Sequence, residues 1–196
     1  MPHCGAETHP RGKDPRVSDA DILSTQHRWL EDEELSWIRE RVPTVYVEAV
    51  PVRTDHLGTV TKVGLLLRPR PDGTVSRAIV SGRVLYGETI RDSLWRHLTK
   101  DLGPDAEPLL PPNPSPFTVA EYFPDPSRTG FSDPRQHAVS LVYVVPVSGE
   151  CSPSQDTLDF SWMSVEDATS PLVATEMTGG QDRLVRMAMA HVGVLP

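Results

Sequence analysis

Runs of apolar residues bounded by turn residues predict a series of β-strands. They lie at 45–52, 63–67, 77–80, 117–123, 138–147 and 158–163. Turn chemistry separates the early ones, most clearly at Pro71-Asp72-Gly73. The segment 104–116 contains six prolines, which predicts an extended connection without regular structure.

Helical spacing of apolar residues predicts three helices between and after these strands. The first lies in EDEELSWIRERV, where Asp32 is placed to cap it. The second is expected from Ile90 to Leu102, with Thr89 as its cap and Gly103 as its end. The third lies in GGQDRLVRMAMAHVG, after a short helical turn in SVEDATSP. Strands interrupted by helices indicate a mixed α/β domain.

The amino-acid composition and net charge indicate which classes of binding partner are expected. The chain has 196 residues, 38% of them hydrophobic, and a formal net charge of −8. A net negative charge argues against a nucleic-acid polymer, although the local charge of a pocket can still suit a small phosphorylated ligand. No apolar run approaches the roughly 18 residues of a membrane span, and the start of the chain has no signal-peptide pattern. With only two cysteines, a disulfide framework is not expected, and the cytoplasm is the expected location.

The loop and helix from Gly82 to Gly103 resemble the Nudix box, which reads G-x5-E-x7-R-E-U-x-E-E-x-G-U with U aliphatic. Five residues fall on their box positions without insertion or deletion: Gly82, Glu88, Arg96, Leu98 and Gly103. Four positions depart from the box, and they hold His97, Lys100, Asp101 and Pro104. RHLTKDLG, FTVAEYF and EMTGGQ also resemble an uncharacterised Nudix-like subfamily that carries this altered box.

The resemblance covers roughly residues 43–192 and implies the Nudix fold, a mixed β-sheet sandwiched between α-helices. The expected organisation is a flexible tail over 1–17, a helical segment over 18–42 and a Nudix domain over 43–196.

Nudix hydrolases cleave a nucleoside diphosphate linked to another group, using Mg²⁺ or Mn²⁺ held by carboxylates of the box. The resemblance therefore implies catalytic positions at Glu88, Arg96, Lys100 and Asp101. It implies metal ligands at Glu88, His97 and Asp101, with Glu121 as a carboxylate from a later strand.

The altered positions change the charge that this site offers. The family's three Glu carry three negative charges, whereas Lys100 and Asp101 cancel each other and His97 adds none when neutral. An ammonium group removes one ligand, repels a divalent cation and suits contact with an anion.

Two main hypotheses remain open. One is a hydrolase of a nucleoside diphosphate derivative or related organic pyrophosphate, with a weakened or atypical metal site. The other is a non-catalytic module that binds a nucleotide or sugar phosphate. A structural, partner-binding protein is a third alternative.

Polar residues outside the metal positions add candidate contacts. Basic side chains at strand ends, in the box and before the long strand are predicted to bind the substrate: Arg68, Arg77, Arg83, Lys100, Arg135 and His137. His137 is also a candidate general base. Glu48 lies between apolar neighbours on the first strand, so it should face the other side of the sheet, to pair with an Arg or read a ligand base. Exposed apolar positions on the first helix would support a homodimer.

Overall fold

The computed structural model describes residues 30–69, 73–153 and 159–195. The elements within these ranges are α1 (Asp32–Arg39), β1 (Thr44–Thr54), β2 (Val60–Pro69), β3 (Val75–Ala78), β4 (Val80–Arg83), α2 (Ile90–Leu102), β5 (Ala106–Pro108), β6 (Thr118–Tyr122), β7 (Ala138–Gly149), β8 (Asp159–Ser164), α3 (Val165–Ala168), α4 (Pro171–Glu176) and α5 (Gln181–His191). The expected tail over 1–17 and the first part of the helical segment over 18–42 lie outside the described residues. The division of the chain at these points stays a prediction.

β1 lies at the centre of a mixed sheet. It pairs in parallel with β7, from Thr44 opposite Ala138 to Val52 opposite Pro146. Its other edge is antiparallel, first to β4 and then to β2. β6 and β5 extend the sheet beyond β7, and β3 and β8 extend it beyond β2. The mixed sheet between helices confirms the predicted fold class.

The two faces of the sheet pack against different helices because successive side chains of a strand alternate. Val47 and Ala49 of β1 face α2, whose buried Leu94, Leu98 and Leu102 form the stripe that the sequence predicts. Each such leucine contributes about 1.5–3 kcal/mol by leaving water. The opposite face packs against α5 through buried aliphatic residues, among them Val50, Val52, Leu184, Val185 and Met189.

The single strand predicted at 77–80 is wrong, because the chain forms two strands there that meet at Ile79. β3 pairs with β2, whereas β4 pairs with β1. The Ile79 backbone N–H donates instead to the Gln181 side-chain oxygen at 3.2 Å. A side chain from the start of α5 therefore marks the break between the two strands.

Two smaller predictions also need correction, and a third, the short helical turn, is confirmed and extended. The proline-rich connection contains β5, a short edge strand that pairs with β7 and ends at Pro108. The segment predicted as one helical turn is followed by α4, which Pro171 begins and Ser170 caps, because proline suits the first turn of a helix. Helix α1 is capped by Glu31 rather than Asp32, with the Glu31 N–H donating to the Glu34 carboxylate at 3.1 Å.

The helices of the described ranges are all too short or too polar to cross a membrane.

Candidate functional site

The loop of the box is held to α2 by a partly buried ion pair. Arg96 donates from Nε and Nη2 to the two carboxylate oxygens of Glu88, at 2.6 and 2.7 Å. The Leu85 N–H donates to the same carboxylate, and Arg96 also donates to the Arg83 carbonyl. Burial raises the pKa of Glu88, but the hydrogen bonds from Arg96 and Leu85 outweigh it, so the pKa is lowered. Glu88 is therefore an ionised group whose partners fix the loop.

His97 fills the space between α2 and β4. Its Nε2 lies 3.2 Å from the Arg83 carbonyl oxygen, and its ring sits where a Cβ on Gly82 would be. Burial above all, together with the charges of Arg96 and Lys100, lowers the pKa of His97 to about 4, against the opposing effect of its hydrogen bond to the Arg83 carbonyl. The ring is neutral at neutral pH, and the glycine of the box is required here for close approach.

Asp101, the remaining acidic residue of the altered helix positions, is paired with an arginine of β2. Arg68 Nη2 donates to Asp101 Oδ2 at 2.5 Å, and the Asp101 side chain is only 5% exposed. Arg77 is likewise paired, with Glu176 at 2.5 Å and with the Ser161 hydroxyl. The structure thus places carboxylates beside two arginines that the sequence suggested as substrate contacts.

The four predicted metal ligands are not brought together. Among residues 30–69, 73–153 and 159–195, no three His, Cys, Asp or Glu side chains are grouped so as to hold a metal ion. Glu121 is exposed on β6, where alternation with the buried Tyr122 turns it toward the α2 face. A hard divalent cation needs several free oxygens, whereas Glu88 and Asp101 already accept from arginines and Lys100 adds a positive charge. The donor set does not fit Mg²⁺ or Mn²⁺.

A cleft of about 590 Å³ lies on the opposite face of the sheet, beside the start of α5. It is lined by residues of four strands, the loop before β7 and the α5 N-terminus: Tyr46, Glu48, Ser81, Tyr122, Ser132, Asp133, Pro134, Arg135, Gln136, Ala138, Ser140, Thr178, Gly179 and Gln181. This volume falls within the usual range for small-molecule sites, which is about 300–1,000 Å³.

Glu48 lies in the wall of the cleft and is only 2% exposed. Both its oxygens accept from the Tyr122 hydroxyl, at 3.0 and 2.9 Å, and one accepts from the Gln181 amide at 2.9 Å. Burial raises the pKa of Glu48, although these hydrogen bonds oppose the shift. The partners are a tyrosine and a glutamine rather than the arginine that the sequence suggested. The Ser140 hydroxyl also lies beside the cleft, close enough to Glu48 to lower the pKa of its carboxyl.

Gln136 ties the rim of the cleft to α1 and β1. Its side-chain oxygen accepts from Arg39 Nε at 3.0 Å and from the Thr44 hydroxyl at 2.9 Å. Its amide nitrogen donates to the Tyr46 hydroxyl and to the Asp133 carboxylate. Because every polar atom of this buried amide is used, the rim is preorganised.

The remaining predicted contacts differ in their surroundings. Arg135 is held by Asp133 through two hydrogen bonds of 2.9 Å. His137 stacks on Phe123 with ring centroids 4.3 Å apart, which closes the loop before β7. Arg83 lies opposite Tyr46 in the β4–β1 register and thus on the cleft face. Lys100 is exposed near the end of α2.

Several residues of the cleft escaped the sequence predictions, because they meet only when distant segments fold together. Tyr46, Gln136, Ser140 and Gln181 come from three strands or loops and one helix. The available signal was Glu48, an ionisable residue within an apolar strand. Its alternation predicted the correct face of the sheet but not its partners.

The chain is similar to one family of proteins and to several solved structures. A family model described as a domain of unknown function (DUF4916) matches residues 25–194. Among curated proteins, none matches the chain. A solved structure from Jonesia denitrificans DSM 20603, described as a possible asymmetric diadenosine tetraphosphate (Ap4A) hydrolase, is 56% identical, with a TM-score of 0.77. That match covers 80% of this chain and 98% of the other.

More distant structures share the fold. A NUDIX hydrolase from Nitrosomonas europaea is 13% identical with a TM-score of 0.58, covering 79% of this chain and 93% of that one. The NUDIX domain of Shewanella oneidensis NrtR, solved in complex with ADP ribose, is 17% identical with a TM-score of 0.54. It covers 90% of this chain and 99% of its own.

Proposed function

Because this chain belongs to the DUF4916 family and has the Nudix fold, we propose that it binds a nucleoside diphosphate derivative or related organic pyrophosphate. In this proposal the ligand occupies the cleft beside α5, and basic side chains of the protein, rather than a metal ion held by the box, neutralise its phosphates.

The observation that carries the proposal is the compensation of charge within the box. Glu88 accepts from Arg96, Asp101 accepts from Arg68, and His97 is buried and neutral at neutral pH. The guanidinium groups of Arg96 and Arg68 thus neutralise the carboxylates that would otherwise attract a metal ion. A ligand anion then needs positive side chains of its own rather than a bridging cation.

The polar wall of the cleft supports a ligand with a hydrogen-bonding ring or sugar. Glu48, Ser140 and Gln181 place carboxyl, hydroxyl and amide groups around the cleft. A few such groups in a largely apolar pocket commonly fix the orientation of a small ligand. Structures of the same fold were solved with ADP ribose and with AMP and a manganese ion, which supports ligands of this class.

Hydrolysis of the same class of ligand is the second candidate function. It is favoured by the 56% identical structure described as a possible Ap4A hydrolase. It is also favoured by Gly82, Glu88, Arg96 and Gly103, which keep the spacing of the box. Mg²⁺ or Mn²⁺ would be the expected cofactor of this second candidate, although the residues at the box positions do not fit either ion.

Thermal unfolding with and without ligand tests the proposal. ADP and ADP-ribose, each added in EDTA, should raise the melting temperature, because a ligand that binds the folded state stabilises it. If neither compound shifts the transition without metal, metal-free binding is wrong. Ap4A and ADP-ribose incubated with Mn²⁺ test the second candidate, with Asp101→Ala as control. Turnover that this variant abolishes would favour the hydrolase.

The expected homodimer stays a proposal. Trp37 and Val42, on and just after α1, are 59% and 50% exposed, as an apolar contact between two copies requires. Sedimentation of the wild type and of Trp37→Ala tests it. A wild type that sediments as a monomer throughout the concentration range would contradict the homodimer.

A further inference from the structure

Three arginines from separate elements are close enough for their charges to interact. Arg39 comes from α1, Arg83 from β4 and Arg96 from α2. Arg96 is committed to Glu88 by two hydrogen bonds. Within the described residues, the Arg83 guanidinium makes no hydrogen bond or ion pair, and Arg39 contacts only the uncharged oxygen of Gln136.

Hydrogen bonds and strand pairing place Arg39 and Arg83 at one edge of the cleft. Arg39 Nε donates to Gln136, and Gln136 donates to the Tyr46 hydroxyl at 2.9 Å. Arg83 is the direct partner of Tyr46 across the β4–β1 ladder, so the two side chains share a face. Tyr46 and Gln136 both line the cleft. Each of the two cations therefore lies next to a residue that lines the cleft, Arg39 next to Gln136 and Arg83 next to Tyr46.

The electrostatics of this edge favour a bound anion. Burial lowers the pKa of Arg83, and the charges of Arg39 and Arg96 lower it further against an opposing effect of Tyr46. A partly buried guanidinium beside two others is in an unfavourable position unless an anion joins them. Guanidinium groups bind phosphate oxygens with two parallel hydrogen bonds, so a phosphate is well suited to this position.

We propose that Arg39 and Arg83 together bind the phosphate groups of the ligand at the edge of the cleft, which makes helix α1 part of the binding site. This inference rests on the proposed function, since it assumes that the ligand carries phosphates. It assigns a ligand contact to Arg39, which lies before the segment with the Nudix resemblance. It also separates Arg83 from Arg68 and Arg77, whose guanidinium groups are paired with carboxylates.

Titration calorimetry of the whole chain in EDTA tests the pair, with ADP and inorganic pyrophosphate as probes. Arg39→Gln and Arg83→Gln should each weaken ADP binding by about tenfold, the loss expected for one charge-assisted contact. Arg41→Gln is the matched control, because Arg41 lies just after the same helix but is exposed, pairs with Glu40 and covers Trp37. It should bind ADP as the wild type does.

A conservative variant separates ligand binding from a structural role of Arg39 at Gln136. Arg39→Lys keeps the positive charge but cannot reproduce the planar guanidinium. It should bind ADP more tightly than Arg39→Gln, because the positive charge still acts on the phosphate, but less tightly than the wild type, because the bidentate contact is lost. An affinity as low as that of Arg39→Gln would instead assign Arg39 a structural role and overturn its part in the proposal.

The outcomes distinguish failure of this inference from failure of the proposed function. Wild-type binding of ADP that both glutamine variants retain unchanged would overturn the arginine pair and leave the proposed function standing. A wild type that binds neither ADP nor pyrophosphate in EDTA would overturn both. Loss of ADP and pyrophosphate affinity in the two variants, with Arg41→Gln unaffected, supports the pair.

Discussion

The two faces of the central sheet handle charge in opposite ways. On the α2 face, Glu88 and Asp101 each have an arginine partner, and His97 is packed as a neutral ring. On the α5 face, Glu48 is buried among uncharged donors, and Arg83 has no carboxylate partner within the described residues. On the box face the charges of the carboxylates are balanced by arginines. On the cleft face an arginine without a carboxylate partner among the described residues lies next to an open cleft.

This difference shows that the spacing of a motif and its chemistry are separable. Gly82, Glu88, Arg96 and Gly103 shape the loop and fix it to α2 whether or not a metal ion binds. His97 and Asp101 occupy positions that the box assigns to metal ligands, and both are buried with partners inside the protein. The box can therefore stabilise the fold while recognition occurs on the other face.

The largest expected effect comes from breaking the compensated pair on the box face. Arg96→Ala leaves Glu88, whose side chain is 3% exposed, as an unpaired buried carboxylate. The free energy of unfolding should fall by about 3–4 kcal/mol. Arg83→Ala, at the end of β4, should lower the free energy of unfolding by less than about 1 kcal/mol, since Arg83 has no carboxylate partner among the described residues. Urea denaturation measures both, and equal losses would erase the contrast between the faces.

Acidification should destabilise the box face through His97. Its folded-state pKa, about 4, lies below its ordinary value of 6.5, so the unfolded chain binds more protons between these values. Stability is then fully present above about pH 6.5 and falls by up to about 3 kcal/mol as the pH drops toward 4. His97→Asn should flatten this slope in pH-dependent urea titrations. The exposed His56→Asn is the control, and a slope unchanged in His97→Asn would contradict the neutral buried ring.

The cleft face should show the opposite slope, through Glu48. Burial raises its pKa above the ordinary 4.5, so its stabilising contribution is present below that value and is lost as the pH rises through the folded-state pKa. Glu48→Gln should remove this loss, which comparison of the two proteins between pH 4 and 8 would show. A variant that loses stability with rising pH as steeply as the wild type would assign the effect elsewhere.

A smaller effect is expected from the tyrosine that donates to Glu48. Tyr122→Phe removes the hydroxyl that both carboxylate oxygens accept while keeping the buried ring. The cost should be about 1–2 kcal/mol, the usual penalty for a buried acceptor that loses a donor. In a Glu48→Gln background the cost should shrink, because a neutral amide needs the donor less. Additive losses in a double-mutant cycle would show that the two groups are not coupled.

The sequence predicted most of the fold because local patterns determine most of it. The leucine stripe of α2, the Thr89 cap and the alternation around Glu48 all reflect neighbouring residues. The break at Ile79 depends on Gln181, 102 residues away, and the Arg68–Asp101 pair joins residues 33 apart. The role of His97 depends on how closely β4 approaches α2. Such contacts exist only after the chain has folded, so spacing alone could not reveal them.

Direct titration of Mn²⁺ tests the central claim that the box face compensates its own charge. Electron paramagnetic resonance of free Mn²⁺, followed as protein is added, reports binding without need of a substrate. No site tighter than about 1 mM is expected in the wild type, because the carboxylates at the box already accept from arginines. A micromolar site that Asp101→Ala abolishes would contradict this charge compensation and favour a metal-dependent hydrolase.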